Sequence, residues 1–292
     1  MRNTTRESYE ERILRVQLFI QKHLDDKLTA EQLANEANFS PYHFQRIFSG
    51  MVGESLMEYI RRLRLERAAI CLTYDDKPIT QIALDAGYDS HEAFTRAFRS
   101  QYDASPQQFR KDRSSFIAQR LLENSKQYSI TLAKPGGLKM DVKIEKMNPL
   151  KVAFVRHVGP YEQCEVAWGK LCGNPAVQKE LGKDSVFVGV SYDDPDVTEA
   201  EKLRCDACVT VSDEFKPING IDVQVIEGGD YVVLVHKGPY SGLHDKYRWL
   251  YGEWLPASGR EAKSAPAIEI YDKHAQDSKP EEFLTRICIP LK

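Results

Sequence analysis

The chain lacks most features that narrow function quickly. No charge of one sign dominates: 40 Lys and Arg stand against 43 Asp and Glu in 292 residues, a net charge of −3. Total charge therefore carries no footprint of a polyanion binder. Long hydrophobic runs are missing too. The longest clean apolar stretches, such as YVVLV at 231–235, are strand-length, so no membrane-spanning helix is expected. The opening MRNTTRESYEER has no apolar stretch of the kind a secretory signal needs. Cysteine is sparse, with six residues. That is too few for a disulfide framework and, with no signal, predicts a reducing, cytoplasmic setting. Cys205 and Cys208 have a metal-like spacing, but no second close pair completes a zinc set, and in a strand the two point to opposite faces. No Ser-His-Asp arrangement or Gly-rich phosphate loop is evident. No metal, no cofactor and no catalytic residue are assigned.

What is present is an ordinary globular balance, 42% apolar and 28% charged, in a length suited to two domains. The charge divides unevenly, +1 over residues 1–120 and −4 over 121–292.

The first hundred residues repeat once. LANEANFSPYHFQRIFSGMVGESLMEY (33–59) aligns with IALDAGYDSHEAFTRAFRSQYDASPQQF (82–109) with a single gap. Leu33, Ala34, Ala37 and Phe39 match Ile82, Ala83, Ala86 and Tyr88. Phe44, Arg46 and Phe48 match Phe94, Arg96 and Phe98. Each copy reads as helix–turn–helix. Thr29-Ala-Glu-Gln32 opens a helix as a capping box. Asn38 and Gly87 stand where a left-handed backbone ends it. Ser40-Pro41 starts the next helix. Phe44, Ile47, Phe48 and Met51 then follow a helical apolar stripe, leaving Tyr42, Gln45, Arg46 and Ser49 outside. In the second copy Phe94, Ala97 and Phe98 face in, and His91, Glu92, Thr95, Arg96 and Arg99 face out. A helix over about 55–72, begun by Ser55-Leu-Met-Glu58 and striped by Leu56, Tyr59, Ile60, Leu63 and Ile70, joins the copies. Its length, about 28 Å, suits two reading helices one duplex turn apart.

This tandem unit, closing in GYDSHEAFTRAFRSQYDASPQQFR, resembles the DNA-binding domain of the AraC/XylS family over residues 8–113. Its place ahead of a second domain is similar to the Rob-type members. The resemblance implies a bacterial regulator that binds double-stranded DNA at an asymmetric promoter site through successive major grooves, works with RNA polymerase and resides in the cytoplasm, at the nucleoid when DNA-bound. The residue chemistry agrees. Arg46 and Arg96, at equivalent places, suit guanine, and Gln45 suits adenine. Tyr42, His91 and Thr95 suit thymine methyls, bases or phosphate, and Glu92 suits cytosine N4 or rejects some sites. Arg61, Arg62, Arg64, Arg99, Arg110 and Lys111 suit phosphates.

Residues 114–138, ending in Lys-Pro-Gly-Gly, read as a linker. Beyond them a second repeat appears. VAFVRHVGPYEQCEVAWGKL (152–171) matches YVVLVHKGPYSGLHDKYRWL (231–250), aligning His157, Gly159, Pro160 and Tyr161 with His236, Gly238, Pro239 and Tyr240. Each copy is strand, turn and helix followed by two strands, VFVGVSY and ACVTVSD, then AIEIYD and FLTRICIPL. The expected fold class is two domains: an all-α tandem helix–turn–helix domain, then an α+β domain of two βαββ repeats with pseudo-twofold symmetry and a cleft between the halves.

The H-x-G-P-Y turns, RCDACV and IEIYD…FLTRICIPL together resemble the GyrI-like effector-binding domain over residues 139–292. That resemblance implies an aromatic-lined cleft for a small hydrophobic or cationic organic molecule, as in multidrug sensing, with Glu269 as the counter-charge. A buried carboxylate needs such compensation. Tyr161, Trp168, Tyr240, Trp249 and Tyr271 are the candidate walls. Trp168 and Trp249 suit core anchors better than walls, His157 and His236 suit structural roles at the turns, and alternation against Ile268 and Ile270 leaves Glu269 facing either solvent or a cleft. A rival reading is a GyrI-like hydrolase with Glu269 as base and Tyr161 or Tyr240 as acid. Another is a protein-sequestering module with an accessory DNA-binding domain.

Overall fold

The computed structural model describes residues 2–111, 140–195, 198–218, 220–273 and 279–292. The expected linker at 114–138 lies outside them. Among the described residues, no helix is long and apolar enough to cross a membrane.

The amino-terminal part is helical: α1 Arg2–Lys22, α2 Ala30–Glu36, α3 Pro41–Val52, α4 Leu56–Tyr74, α5 Ile79–Asp85, α6 His91–Tyr102 and α7 Pro106–Lys111. Local chemistry sets the ends. Thr29 accepts from the Gln32 amide, Ser40 from Tyr42 and Ser90 from Ala93. Ser55 and Glu58 form a reciprocal capping box. The two turns close at Asn38 (φ 52°) and Gly87 (φ 80°). At Gly87 a Cβ would sit 2.6 Å from Arg64 Nη1, so glycine there provides both the left-handed backbone and the room.

Phe44, Ile47, Phe48, Met51, Phe94 and Phe98 are all buried. The α4 stripe differs from expectation. Leu56, Tyr59, Ile60 and Leu63 enter the core, but Ile70 is 52% exposed. The helix serves two cores in turn: its first half packs with α1–α3, while Leu65, Ala68, Ala69 and Leu72 pack with α5 and α6. That shift of face leaves Ile70 outside.

The second part carries β1 Val142–Met147, β2 Leu150–Val158, α8 Glu165–Cys172, α9 Pro175–Gln178, β3 Phe187–Ser191, β4 Arg204–Thr210, β5 Asp222–Ile226, β6 Gly229–Lys237, α10 Leu243–Trp249, a π-helical turn Leu250–Trp254, α11 Leu255–Ser258, β7 Ala267–Lys273 and β8 Leu284–Pro290. They form one antiparallel sheet in the order β1-β6-β8-β7-β3-β4-β2-β5. Each βαββ repeat thus gains a leading strand, and that strand pairs with the other repeat: β1 with β6, β5 with β2. The halves meet at β3 and β7, where Gly189 lies directly opposite Glu269. Val188, Val190, Ile268 and Ile270 alternate onto the face away from the helices.

The two parts share one core. Tyr9, Ile13, Phe44, Ile47 and Phe48 pack in a single cluster with Leu250, Tyr251 and Leu255. Helix α3 and the π-helical turn touch through their backbones at Gly50 and Gly252; a Cβ on Gly50 would lie 2.6 Å from Gly252 Cα. Arg12 pairs with Glu261 at 2.8 Å. Buried His43 is held on both sides. Its Nε2 lies 2.7 Å from the Lys263 carbonyl, which only accepts, so Nε2 carries the proton and Nδ1 accepts from the Tyr251 hydroxyl at 2.8 Å.

One cysteine pairing differs from expectation: Cys164, at the start of α8, is joined to Cys205 on β4 in a disulfide. The partners are 41 residues apart and meet only because α8 folds onto β4. Cys205 does face away from Cys208, which lies in the core on the opposite side of the sheet.

Candidate functional site

The two outward helices of the tandem unit are in different situations. On α6, His91, Glu92, Arg96 and Arg99 are exposed and Thr95 is half-buried, so this face is open. On α3, Tyr42 is exposed and Gln45 half-buried, but the helix rests on the carboxyl-terminal part. Ser49, expected outside, is 5% exposed and donates to the Gln45 carbonyl. Arg46, also expected outside, turns into the domain interface. Its guanidinium lies 4.4 Å from the Tyr247 ring centroid and 5.7 Å from that of Tyr251, and Nη2 donates to the Asp193 carbonyl at 3.2 Å. The sequence pattern places both residues off the helical domain's own core. It cannot show that a second domain covers that face.

Several expected phosphate ligands are occupied within the chain. Arg62 pairs with Glu54 and Glu66 and lies over Tyr59. Arg64 donates to the Leu24 and Asp26 carbonyls, and Arg110 to that of Lys77. Arg61, Arg99 and Lys111 are exposed.

The residues expected to line a cleft gather around the β3–β7 pair, where Glu269 lies opposite Gly189. Glu269 is 9% exposed and both its oxygens are bound, Oε1 by the Tyr247 hydroxyl at 2.9 Å and Oε2 by the Tyr271 hydroxyl at 2.8 Å. Burial, and then the Glu269 carboxylate beside them, push both tyrosine pKa values well above the ordinary range. The hydroxyls therefore remain donors at any physiological pH. Tyr271 meets Trp168 and Tyr240 edge-on, each at 5.6 Å, and Tyr240 stacks on Phe283 at 5.1 Å. Tyr161 donates to the Asp193 carbonyl at 2.8 Å, the same oxygen that Arg46 uses. His157 and His236 each donate Nε2–H to the carbonyl of the proline three residues on, Pro160 and Pro239, at 3.0 Å. They clamp the turns. An open pocket of about 290 Å³, lined by Glu227, Asp230, Tyr231, Lys263 and Lys292 among others, lies elsewhere and contains none of these cleft residues.

A GyrI-like small molecule binding domain matches residues 140–292 and a helix-turn-helix domain matches residues 33–112. The chain belongs to the GyrI-like family. Over 287 residues it is 25% identical to the right origin-binding protein of Escherichia coli (strain K12), covering 94% of this chain and 96% of that one. It is 23% identical over 302 residues to the transcriptional regulator Rob of Salmonella typhimurium, with the same coverage. A cryo-EM structure of an EcmrR–DNA complex covers 81% of this chain and 82% of its own at 18% identity, with a TM-score of 0.46. The chain thus has the domain order of the Rob-type members of the AraC/XylS family, and it is a transcription regulator with a DNA-binding helix–turn–helix domain.

Within the GyrI-like domain, one expected wall residue is misplaced. Trp249 packs into the shared core instead, and Tyr247 takes the place on α10. The repeat itself carries the signal for this: when His157 is set against His236, Trp168 falls against Tyr247, not Trp249. Gly189 is the second residue missed. A Cβ there would meet the Tyr271 hydroxyl at 2.5 Å, so glycine opposite Glu269 makes room for the donor that holds the carboxylate.

Proposed function

We propose that this regulator is a bacterial, cytoplasmic protein, nucleoid-associated when DNA-bound. In this reading residues 8–113 bind an asymmetric promoter site in successive major grooves and act on RNA polymerase, and residues 139–292 sense a small hydrophobic or cationic organic molecule. Arg96, His91, Glu92, Thr95 and Arg99 on α6, with Tyr42, Gln45 and Arg46 on α3, are the proposed base and phosphate contacts, supported by Arg61. The proposed effector site is the Glu269 cleft with Tyr161, Trp168, Tyr240, Tyr247 and Tyr271.

The observation that carries the sensing half is the setting of Glu269. It is a buried carboxylate whose two oxygens are held by tyrosine hydroxyls, beneath aromatic rings whose faces attract organic cations. Calorimetric titration with phenyltrimethylammonium and its neutral isostere tert-butylbenzene tests it. Wild type is expected to prefer the cation. Glu269→Gln is expected to lose that preference by about tenfold or more while still binding the neutral compound. Equal affinity of wild type for both compounds would sink the counter-charge role.

The DNA half is tested by selecting bound duplexes from a random pool at physiological salt. Arg96→Ala is expected to relax one half of a bipartite motif, at about 1–3 kcal/mol for its base pair, and leave the other half intact. Uniform weakening across sequences would reduce Arg96 to a phosphate contact.

A further inference from the structure

We propose that Arg46 is a tethered ligand of the effector cleft: its guanidinium holds the face of Tyr247, and a planar organic cation that takes this place frees α3 for DNA. The inference rests on the sensing reading above and specifies both the ligand class and how its binding is transmitted.

Three observations converge. First, the guanidinium is seated as a cationic guest would be. It lies 4.4 Å over Tyr247, whose hydroxyl is bound to Glu269, and it shares the Asp193 carbonyl with the Tyr161 hydroxyl. One tyrosine thus presents its ring face to a cation and its hydroxyl to the cleft carboxylate. Second, the seat is closed by a fitted interface. The Gly50–Gly252 backbone contact and the buried His43 bridging Tyr251 and Lys263 fix the helix against the carboxyl-terminal part. Third, the tandem unit is asymmetric: α6 offers Arg96 to solvent, whereas the equivalent Arg46 on α3 is engaged.

A guanidinium suits both an aromatic face and the paired acceptors of guanine, but it occupies only one at a time. The docked state therefore closes one reading helix and fills the cation seat with the same side chain. A ligand shifts such an equilibrium only by binding one state better. A planar, delocalised cation meets that condition, because its seat exists only where Arg46 has left. Reciprocity follows: DNA that captures α3 raises the affinity for the cation by the factor by which the cation raises the affinity for DNA.

Two variants of the full chain test this through different readouts. Arg46→Met removes the tethered cation. Its affinity for phenylguanidinium, a planar delocalised cation, is expected to rise about tenfold or more over wild type, as the closed state no longer competes. Unchanged or weaker binding, with wild type still binding the cation, overturns the inference and leaves the sensing reading standing. Gly252→Ala places a Cβ against Gly50 and wedges α3 off. Without any effector, it is expected to bind the selected duplex about tenfold tighter than wild type and to protect both halves, where wild type protects only the α6 half. Full protection of both halves by effector-free wild type, with no gain in the variant, also overturns it. If neither wild type nor Arg46→Met binds the cation, the sensing reading fails, and the inference that depends on it falls too. A gain in the Gly252→Ala variant would then report α3 closure by the interface alone.

Discussion

At the residue scale, the chain invests buried polar groups where they position something else. Asp206 on β4 is fully buried and receives Arg156 through both oxygens at 2.7 and 2.9 Å, with Tyr192 at 2.8 Å and Gln224 at 3.1 Å. Arg156 comes from β2, Tyr192 from the end of β3 and Gln224 from β5, so one carboxylate ties together the four strands of the first half. Truncating Arg156 strands that charge inside the sheet. Arg156→Met is expected to cost about 3 kcal/mol, read as a lower denaturation midpoint with unchanged slope in urea. A loss under about 0.5 kcal/mol would class the pair with exposed ion pairs. Glu269 is the contrasting case: its hydrogen-bond partners among the described residues are neutral hydroxyls from α10 and β7.

At the element scale, ends and turns are fixed by short-range chemistry, and the repeats make it legible. Both helix–turn–helix corners use a left-handed residue, Asn38 in one and Gly87 in the other. The second has the tighter surroundings, since Arg64 crosses it to reach the loop carbonyls of Leu24 and Asp26. Gly87→Ala must adopt a disfavoured backbone and displace that arginine. A loss of about 2 kcal/mol is expected, measured as a fall in melting temperature; a neutral result would mean the turn relaxes around the new side chain. The same legibility reached the buried faces of α3 and α6, where aromatic residues recur at helical spacing. It failed at Ile70, because α4 changes the face it buries half-way along, and one stripe drawn over the whole helix cannot follow that change.

At the scale of the whole molecule, the interface between the two parts carries a built-in pH dependence. Burial, reinforced by the Arg46 charge, pushes His43 down to about 4. The docked arrangement therefore holds His43 neutral, bonded to the Tyr251 hydroxyl and the Lys263 carbonyl. A depressed histidine pKa means that undocked chains bind the extra proton. Docking is thus at full strength above about pH 6.5 and weakens as pH falls from there toward about 4. Hydrogen-exchange protection factors over residues 41–52, taken relative to the intrinsic rate at each pH, are expected to fall as pH drops across that window in wild type. In His43→Gln that fall should flatten. A profile identical in both proteins would assign the pH response to another group.

Most helices and strands, the two repeats and the domain order were legible in the sequence, because caps, turns and apolar periodicity act within a few residues of one another. The sequence also pointed to Glu269 and to Trp168, Tyr240 and Tyr271, which the fold brings together, since the second repeat repeats chemistry as well as shape; Tyr247 stood in that same alignment. Tertiary structure decided what depends on distant surfaces meeting. The exchange of β1 and β5 between halves, the Cys164–Cys205 pairing, the room Gly189 leaves for Tyr271 and the capture of Arg46 by Tyr247 all join residues tens to hundreds of positions apart. A helix pattern shows which side chains leave its own core. Whether solvent, DNA or a second domain receives them is settled only when the chain has folded back on itself.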